Sequence, residues 1–230
     1  MHGIVYDEIR DEFTVTQQFA QAILTFRGGA EGEEAPIRVI QGPDTQLEQP
    51  DRLAIDTIHN EIFVPEDTDG KILVFRRGAN GNVAPIRVLR TPRGNTVAVD
   101  PVNNVLVVVA GREFRIFNRT DQGTAEPRAV IGGPNSGFHG LGGPFAIYPP
   151  KGWIIATVRG ATGELASDRS YVGVWSIHDN GDVPPRWRFG GPNGVLRMPR
   201  GVALDPANKN VIVSDKRLNA VLTFRVPEIY

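Results

Sequence analysis

Polar residues stand just ahead of five short apolar runs, and several of them are of types that bind cations. The runs close at Asp7, Asp56, Asp100, Tyr148 and Asp205, and the residues five places earlier are His2, Asp51, Asn95, Gly143 and Arg200. His, Asp and Asn side chains are ordinary metal ligands, but a metal site needs several of them to converge. An arginine in the same set repels a cation. We therefore expect this set to bind a ligand other than a metal ion. The candidate side chains are His2, Asp51, Asn95 and Arg200.

Acidic residues form a second group of candidates. A second apolar run follows each first run, and these second runs end at Gln17, Glu66, Arg112, Arg159 and Asp215. We expect the two acids among them to lie near a bound ligand. The acids that close four of the first runs each precede a turn, where Asp commonly accepts hydrogen bonds from backbone N–H groups. We therefore expect the closing acids to be structural.

Two glycine-rich connectors, residues 132–144 and 190–201, are longer than the other links between units. Long surface loops are where binding residues concentrate. The side chains in these connectors that would reach a partner are Phe138, His139, Arg197 and Met198. No HExxH, GxSxG or phosphate-binding glycine motif occurs in the chain. The sequence therefore identifies no catalytic residues and favours a non-enzyme.

Overall composition narrows the classes of function. The chain has 230 residues, with 25 Lys and Arg against 26 Asp and Glu, and no cysteine. This balance argues against nucleic-acid binding, which normally shows a basic footprint. No apolar run approaches the length of a membrane helix, so we expect no membrane insertion. The N-terminal segment lacks the charged start and apolar core of a signal peptide, and the compartment stays open.

A unit of four apolar runs repeats through the chain. The closing positions of the first runs are separated by 49, 44, 48 and 57 residues. Short runs rich in β-branched and aromatic residues, bounded by Gly, Pro, Asn and Asp, predict strands. A period of about 40 to 50 residues with four strands each is typical of propeller blades. We predict an all-β fold, a β-propeller of four-stranded antiparallel blades in one domain over residues 1–230, with blades near 3–42, 50–91, 92–133, 143–191 and 198–230.

The fourth run of a unit starts with proline and carries arginine. The copies are PIRVI (36–40), PIRVL (85–89), PRAVI (127–131) and PRWRF (185–189). The fourth strand of a blade is outermost, and proline at a strand start together with charged side chains protects such edges from pairing. We expect edge protection by these residues, with the arginines in solvent. The alternative is an arginine ladder that binds a polyanion.

The fifth unit breaks this pattern, since only VPEIY follows its third run, AVLTFR (220–225). Three explanations are open. The protein is a five-bladed ring with a three-stranded last blade, or residues ahead of Met1 belong to the native protein, or a neighbouring chain donates the strand. A truncated or processed six-bladed ring is the explanation we favour.

Residues 199–225, PRGVALDPANKNVIVSDKRLNAVLTFR, resemble an NHL repeat, and residues 50–76 are a looser copy. The resemblance extends over nearly the whole chain. Residues 78–88, GANGNVAPIRV, also resemble repeats of bacterial envelope proteins of NHL type. The resemblance implies a six-bladed propeller scaffold that binds proteins, sugars or nucleic acids, and an extracellular or periplasmic location. A minority of such proteins are enzymes, among them lactonases with a calcium held by Glu, Asn and Asp.

Three functions remain from these observations. The first is a non-catalytic binding module for a protein or carbohydrate partner, with self-association through the incomplete last blade as a further property. The second is a metal-dependent hydrolase or lyase of the gluconolactonase kind, which would use calcium at the channel mouth. The third is a structural subunit of a surface assembly. We rank them in this order because the first requires no catalytic constellation.

Overall fold

The computed structural model describes residues 3–92, 94, 96–138, 143–160, 170–191 and 194–230. In these residues, antiparallel β-sheets follow one another along the chain, five in number. Two short 3-10 turns, Pro43–Thr45 and Pro227–Ile229, are also present, and no helix there is long and apolar enough to span a membrane. The predicted all-β class and its blade-like sheets are confirmed, and the fold is that of a five-bladed β-propeller.

Each sheet is a meander in which consecutive strands are neighbours. The first sheet has β1 (Ile4–Asp7), β2 (Glu12–Gln17), β3 (Ala22–Arg27) and β4 (Arg38–Gln41). The second has β5 (Ala54–Asp56), β6 (Glu61–Glu66), β7 (Lys71–Arg76) and β8 (Arg87–Arg90). The third has β9 (Thr96–Asp100), β10 (Val105–Ala110), β11 (Glu113–Asn118) and β12 (Ala129–Ile131). The fourth has β13 (Ala146–Tyr148), β14 (Trp153–Val158), β15 (Tyr171–Ser176) and β16 (Trp187–Phe189). The fifth has β17 (Pro199–Asp205), β18 (Asn210–Asp215) and β19 (Ala220–Arg225).

The turn between the first and second strands is built in the same way in every sheet. A residue with positive φ precedes each second strand: Asp11, Asn60, Asn104, Gly152 and Lys209. In four of the sheets an acid stands before the turn and accepts backbone hydrogen bonds, whereas the fourth sheet has Tyr148 there. The Asp56 Oδ1 atom, for example, accepts from the N–H groups of Ile58 at 2.9 Å and His59 at 2.8 Å. Equivalent bonds reach Asp7, Asp100 and Asp205, so their predicted structural role is confirmed.

Two compact units divide the chain. The first contains residues 1–110 and 118–126, and the second contains 111–117 and 127–230. Within the first unit, Ile40, Ile62 and Leu73 belong to a buried apolar cluster. Within the second, Val213 and Ile229 belong to another. The single domain expected over residues 1–230 stays a prediction.

The fourth strands differ from the prediction in two respects. β4 and β8 begin two residues after their prolines, so proline precedes the strand and does not open it. The arginines are not simply solvated either. Arg87 donates two hydrogen bonds of 2.7 Å to the carboxylate of Glu61, and Arg38 forms the equivalent pair with Glu12. The expectation of solvent-exposed arginines was wrong for these two strands, because an acid at the start of the second strand reaches them across the third.

Loops from the following sheet cover the outer edges of three fourth strands. The Gly81 N–H donates to the Val39 carbonyl at 2.6 Å, and the Val39 N–H donates to the Asn80 side-chain carbonyl at 2.8 Å. Gly123 and Gly181 pair with β8 and β12 in the same manner. All three glycines have φ between 65° and 83°, with open space where a Cβ would stand. The left-handed backbone therefore selects glycine here, and backbone pairing protects these edges.

Replacing Asn80 with Ala should lower the free energy of unfolding by about 1 kcal/mol, because the Val39 N–H loses its acceptor. Gln122 is the matched control. It stands directly before Gly123, as Asn80 stands before Gly81, but its side chain makes no such bond in the described part of the chain. Urea denaturation should show a change within about 0.5 kcal/mol for Gln122→Ala. Equal losses in the two variants would contradict the edge-covering role.

Replacing Glu61 with Gln should weaken the fold at neutral pH. Burial opposes ionisation of Glu61, but hydrogen bonds and charges from Arg87 and Arg119 outweigh it and lower the pKa below its ordinary value of 4.5. The stabilisation is therefore present above the ordinary value and is lost as pH falls through the lowered pKa. Denaturation at several pH values should show less acid dependence in Glu61→Gln than in the parent. Glu113→Gln, which removes a more exposed pair with Arg115, should cost less stability at neutral pH than Glu61→Gln does.

Candidate binding surface on the fifth sheet

In the fifth sheet the second and third strands are hydrogen-bonded at the same strand positions as in the other four sheets. In each sheet the N–H group just after the third strand donates to the carbonyl just before the second. The five bonds are Gly28 to Asp11, Arg77 to Asn60, Arg119 to Asn104, Ile177 to Gly152, and Val226 to Lys209, with lengths of 2.5, 2.9, 3.0, 2.9 and 3.0 Å. Residues of β19 can therefore be matched one for one with those of β3, β7, β11 and β15.

This matching identifies a backbone acceptor that lacks its usual donor. In the first four sheets, the N–H of the residue after the proline donates to the carbonyl of the fourth residue of the third strand. These bonds are Ile37 to Thr25, Ile86 to Val74, Arg128 to Ile116, and Arg186 to Val174, at 2.8, 2.8, 2.8 and 2.7 Å. The equivalent carbonyl in the fifth sheet belongs to Thr223. No fourth strand lies beside it among the residues described.

The side of β19 that faces away from β18 is called here the open edge, defined by Val221, Thr223 and Arg225. The Val226 N–H donates to the Lys209 carbonyl, so the backbone groups of Val226 face β18. Because backbone groups alternate between the two sides of a strand, those of Val221, Thr223 and Arg225 face away from β18. Their side chains are exposed as well, and Val221 has 70% of its surface in solvent. Leu222 and Phe224 point the other way and pack against the buried cluster of the second unit. The open edge thus combines free backbone groups with an exposed apolar side chain.

A cleft of about 350 Å³ adjoins the start of β19. Its lining residues are Arg200, Ser214, Asp215, Lys216, Asn219, Ala220 and Val221. Asp215 is buried, and its carboxylate accepts hydrogen bonds from four backbone N–H groups, those of Arg197, Met198, Arg217 and Leu218. No ion pair joins Arg200 or Lys216 to an acid in the described residues. The cleft therefore presents two cationic side chains to a ligand, while its one carboxylate is occupied.

Glu66 holds the same position in the second sheet as Asp215 holds in the fifth. Its Oε2 atom accepts hydrogen bonds from the N–H groups of Glu48 at 3.0 Å and Gln49 at 2.6 Å. The side chain is 1% exposed, and Oε1 has no hydrogen-bond partner among the described residues. Both acids accept hydrogen bonds from backbone N–H groups of the connector that leads into their sheet. A role in ligand binding stays a prediction for Glu66 and Asp215.

The structure brings some of the predicted residues together and separates others from solvent. Arg200 and Asp215 share the cleft. Asp51 lies beside the end of β6, where its N–H donates to the Pro65 carbonyl at 3.2 Å, and it is 6% exposed. His2, Asn95 and His139 lie outside the described residues. No group of three or more metal-binding side chains occurs within the described ranges.

The two connectors also contain described candidates. Phe138 does not reach into solvent as predicted, since it is 5% exposed and packs on Phe114 and Trp175 with ring centroids 5.0 and 4.7 Å away. Arg197 is exposed, but its guanidinium donates to the carbonyls of its own loop. Met198 is half-buried. Of the three, Arg197 is therefore the most accessible.

Sequence reasoning missed the residues of the open edge and Lys216. The absent fourth run was visible, but the carbonyl that it leaves unpaired follows only from the register. The analysis of the sequence also missed two arginines that come just after third strands. Arg77 pairs with Asp7, and Arg119 pairs with Asp56 and Glu61. The recurring Arg after a third strand, in FRR and FNR, was the available signal.

No protein-family model matches the chain, and no curated protein matches it. Among solved structures, it is similar to a chain of a nidogen/laminin complex, with a TM-score of 0.63 and 15% identity over 100% of this chain and 77% of that one. It is also similar to hydrazine synthase of Kuenenia stuttgartiensis, with a TM-score of 0.63 and 11% identity. That match covers 92% of this chain and 54% of the other, about half its length. At these identities the likeness shows the β-propeller fold alone.

Replacing Glu66 with Gln should alter how stability depends on pH. Burial raises the pKa of Glu66 above its ordinary value of 4.5, against the backbone hydrogen bonds from Gln49 and Glu48. Because the folded-state pKa is the higher one, stability is lost as pH rises through it. The amide keeps an acceptor for both N–H groups and carries no charge. Glu66→Gln should therefore gain stability relative to the parent as pH rises above the ordinary value of 4.5, as urea denaturation at several pH values would measure. A difference in unfolding free energy between variant and parent that stays constant with pH would contradict this prediction. The control is Glu31→Gln, because Glu31 is exposed.

Proposed function

We propose that the protein is a non-catalytic binding module of NHL type that engages a polypeptide partner through the fifth sheet. The observation that carries the proposal is the open edge of β19, where no described residue donates to the Thr223 carbonyl as one does to each of its four counterparts. An exposed strand edge is a ready template for another chain. Strand addition to such an edge is an established mode of peptide recognition.

Two further features support a protein partner. Val221 is an exposed apolar side chain beside the cleft, and Arg200 and Lys216 give the cleft positive charge. An apolar contact next to charged groups is the composition expected of a protein interface. One of the similar solved structures comes from a nidogen/laminin complex. It supports the proposal only as an example of this fold within a protein complex.

Site-specific photo-crosslinking tests the proposal. A photoreactive phenylalanine analogue replaces Val221 in one variant and Val102 in another, since Val102 is 67% exposed and lies on the turn between β9 and β10 of the third sheet. In the native cells we expect a discrete adduct from position 221 and none from position 102. The partner is then identified by mass spectrometry and purified, and it should bind the parent protein. Equal labelling from the two positions, or none from 221, would refute the proposal.

A further inference from the structure

The third strand of the fifth sheet closely matches that of the first. β19 reads AVLTFR and β3 reads AILTFR, so five of six residues are identical. β3 is paired along its outer side with β4 (Arg38–Gln41), antiparallel, with Thr25 opposite Arg38, Leu24 opposite Val39, and Ile23 opposite Ile40. A strand that fits β3 therefore has the backbone hydrogen-bond register to fit β19.

The direction of such a strand places its end at the cleft. In the first sheet the C-terminal residue of β4, Gln41, lies opposite the first residue of β3, Ala22. The equivalent of Ala22 is Ala220, which lines the cleft together with Arg200 and Lys216. An antiparallel strand on the open edge would therefore finish beside two cationic side chains. Charge complementarity favours a carboxylate at this end.

We infer that the open edge of β19 binds one extended segment of another polypeptide, antiparallel to β19, and this inference rests on the function proposed above. The segment has proline followed by a residue whose N–H donates to the Thr223 carbonyl. Apolar residues then lie opposite Leu222 and Val221, and a carboxylate follows at the cleft. The source is a separate partner protein, because no fourth run of this chain carries an acid at the position that would lie beside the cleft. The residues at that position are Gln41, Arg90, Gly132 and Gly190.

A synthetic peptide with the sequence of residues 33–41, EEAPIRVIQ, is the probe. It carries an N-terminal fluorophore and a free C-terminal carboxylate. Fluorescence anisotropy with the whole chain should show saturable binding. Amidation of the C-terminus should weaken binding several-fold, since it removes the charge that faces Arg200 and Lys216.

Backbone N-methylation provides a matched pair of peptides. In β4 the N–H of Val39 faces away from β3, because it donates to Asn80, and the alternation of an antiparallel strand turns the N–H of Ile40 toward β3. A methyl group on the Ile40 nitrogen should therefore weaken binding to β19 by about tenfold. The same group on the Val39 nitrogen should leave affinity within about twofold. Equal affinities of the two methylated peptides would overturn the inference.

Protein variants give a second test. Thr223→Pro removes an outward N–H group and is tolerated at a strand edge, so it should weaken binding of the peptide by at least about tenfold, whereas Thr223→Ala should not. If Thr223→Pro does not fold, the methylated peptides still decide the question. Absence of peptide binding together with a crosslinked partner at Val221 would leave the proposed function standing and overturn strand addition. A dimer of the parent that Thr223→Pro abolishes would replace the partner strand with a second copy of the chain.

Discussion

An outer strand of a β-sheet has one row of N–H and C=O groups that its own sheet cannot pair, and each such row must meet water, a loop or another chain. Three fourth strands of this protein meet a loop, in which a glycine with positive φ pairs with the edge backbone. The repeated Asn-Gly or Gln-Gly pair after the third strand therefore belongs structurally to the preceding sheet. At β19 no fourth strand lies alongside among the described residues, so the backbone groups of that edge stay open.

Charged residues are used in a comparable way. The acids at the ends of first strands accept hydrogen bonds from the turn that follows, and two of them also pair with an arginine from the next sheet. Glu61 binds both Arg87 and Arg119, so one carboxylate connects β6 with β8 and with the turn that follows β11. A buried carboxylate keeps its charge where an arginine or several backbone N–H groups donate to it, and both arrangements occur here. The near-neutral composition of the chain thus conceals a set of specific ion pairs rather than a uniform polar surface.

Much of the fold was predictable, because the signals are local. The third strands β3, β7, β11 and β19 have the bounds of their apolar runs, since alternation and flanking turn residues depend only on neighbouring positions. The candidate site was predictable only in part. Arg200 and Asp215 were chosen separately, and the pairing of β17 with β18 places them in one cleft. Thr223 was not chosen, because nothing in its side chain distinguishes it from Thr25.

By itself the sequence determined the repeated four-strand unit, the acid-capped turns and the absence of a fourth run in the last unit, since each is encoded within a few consecutive residues. It left the number of blades open, and the six-bladed ring that it favoured is not confirmed. Only the tertiary structure decided which edges are covered and which charges are paired. Asn80 and Gly81 meet Val39, some 41 residues earlier in the chain, and Arg87 meets Glu61 across an intervening strand. Such contacts depend on the register and placement of whole sheets, which a short stretch of sequence does not specify.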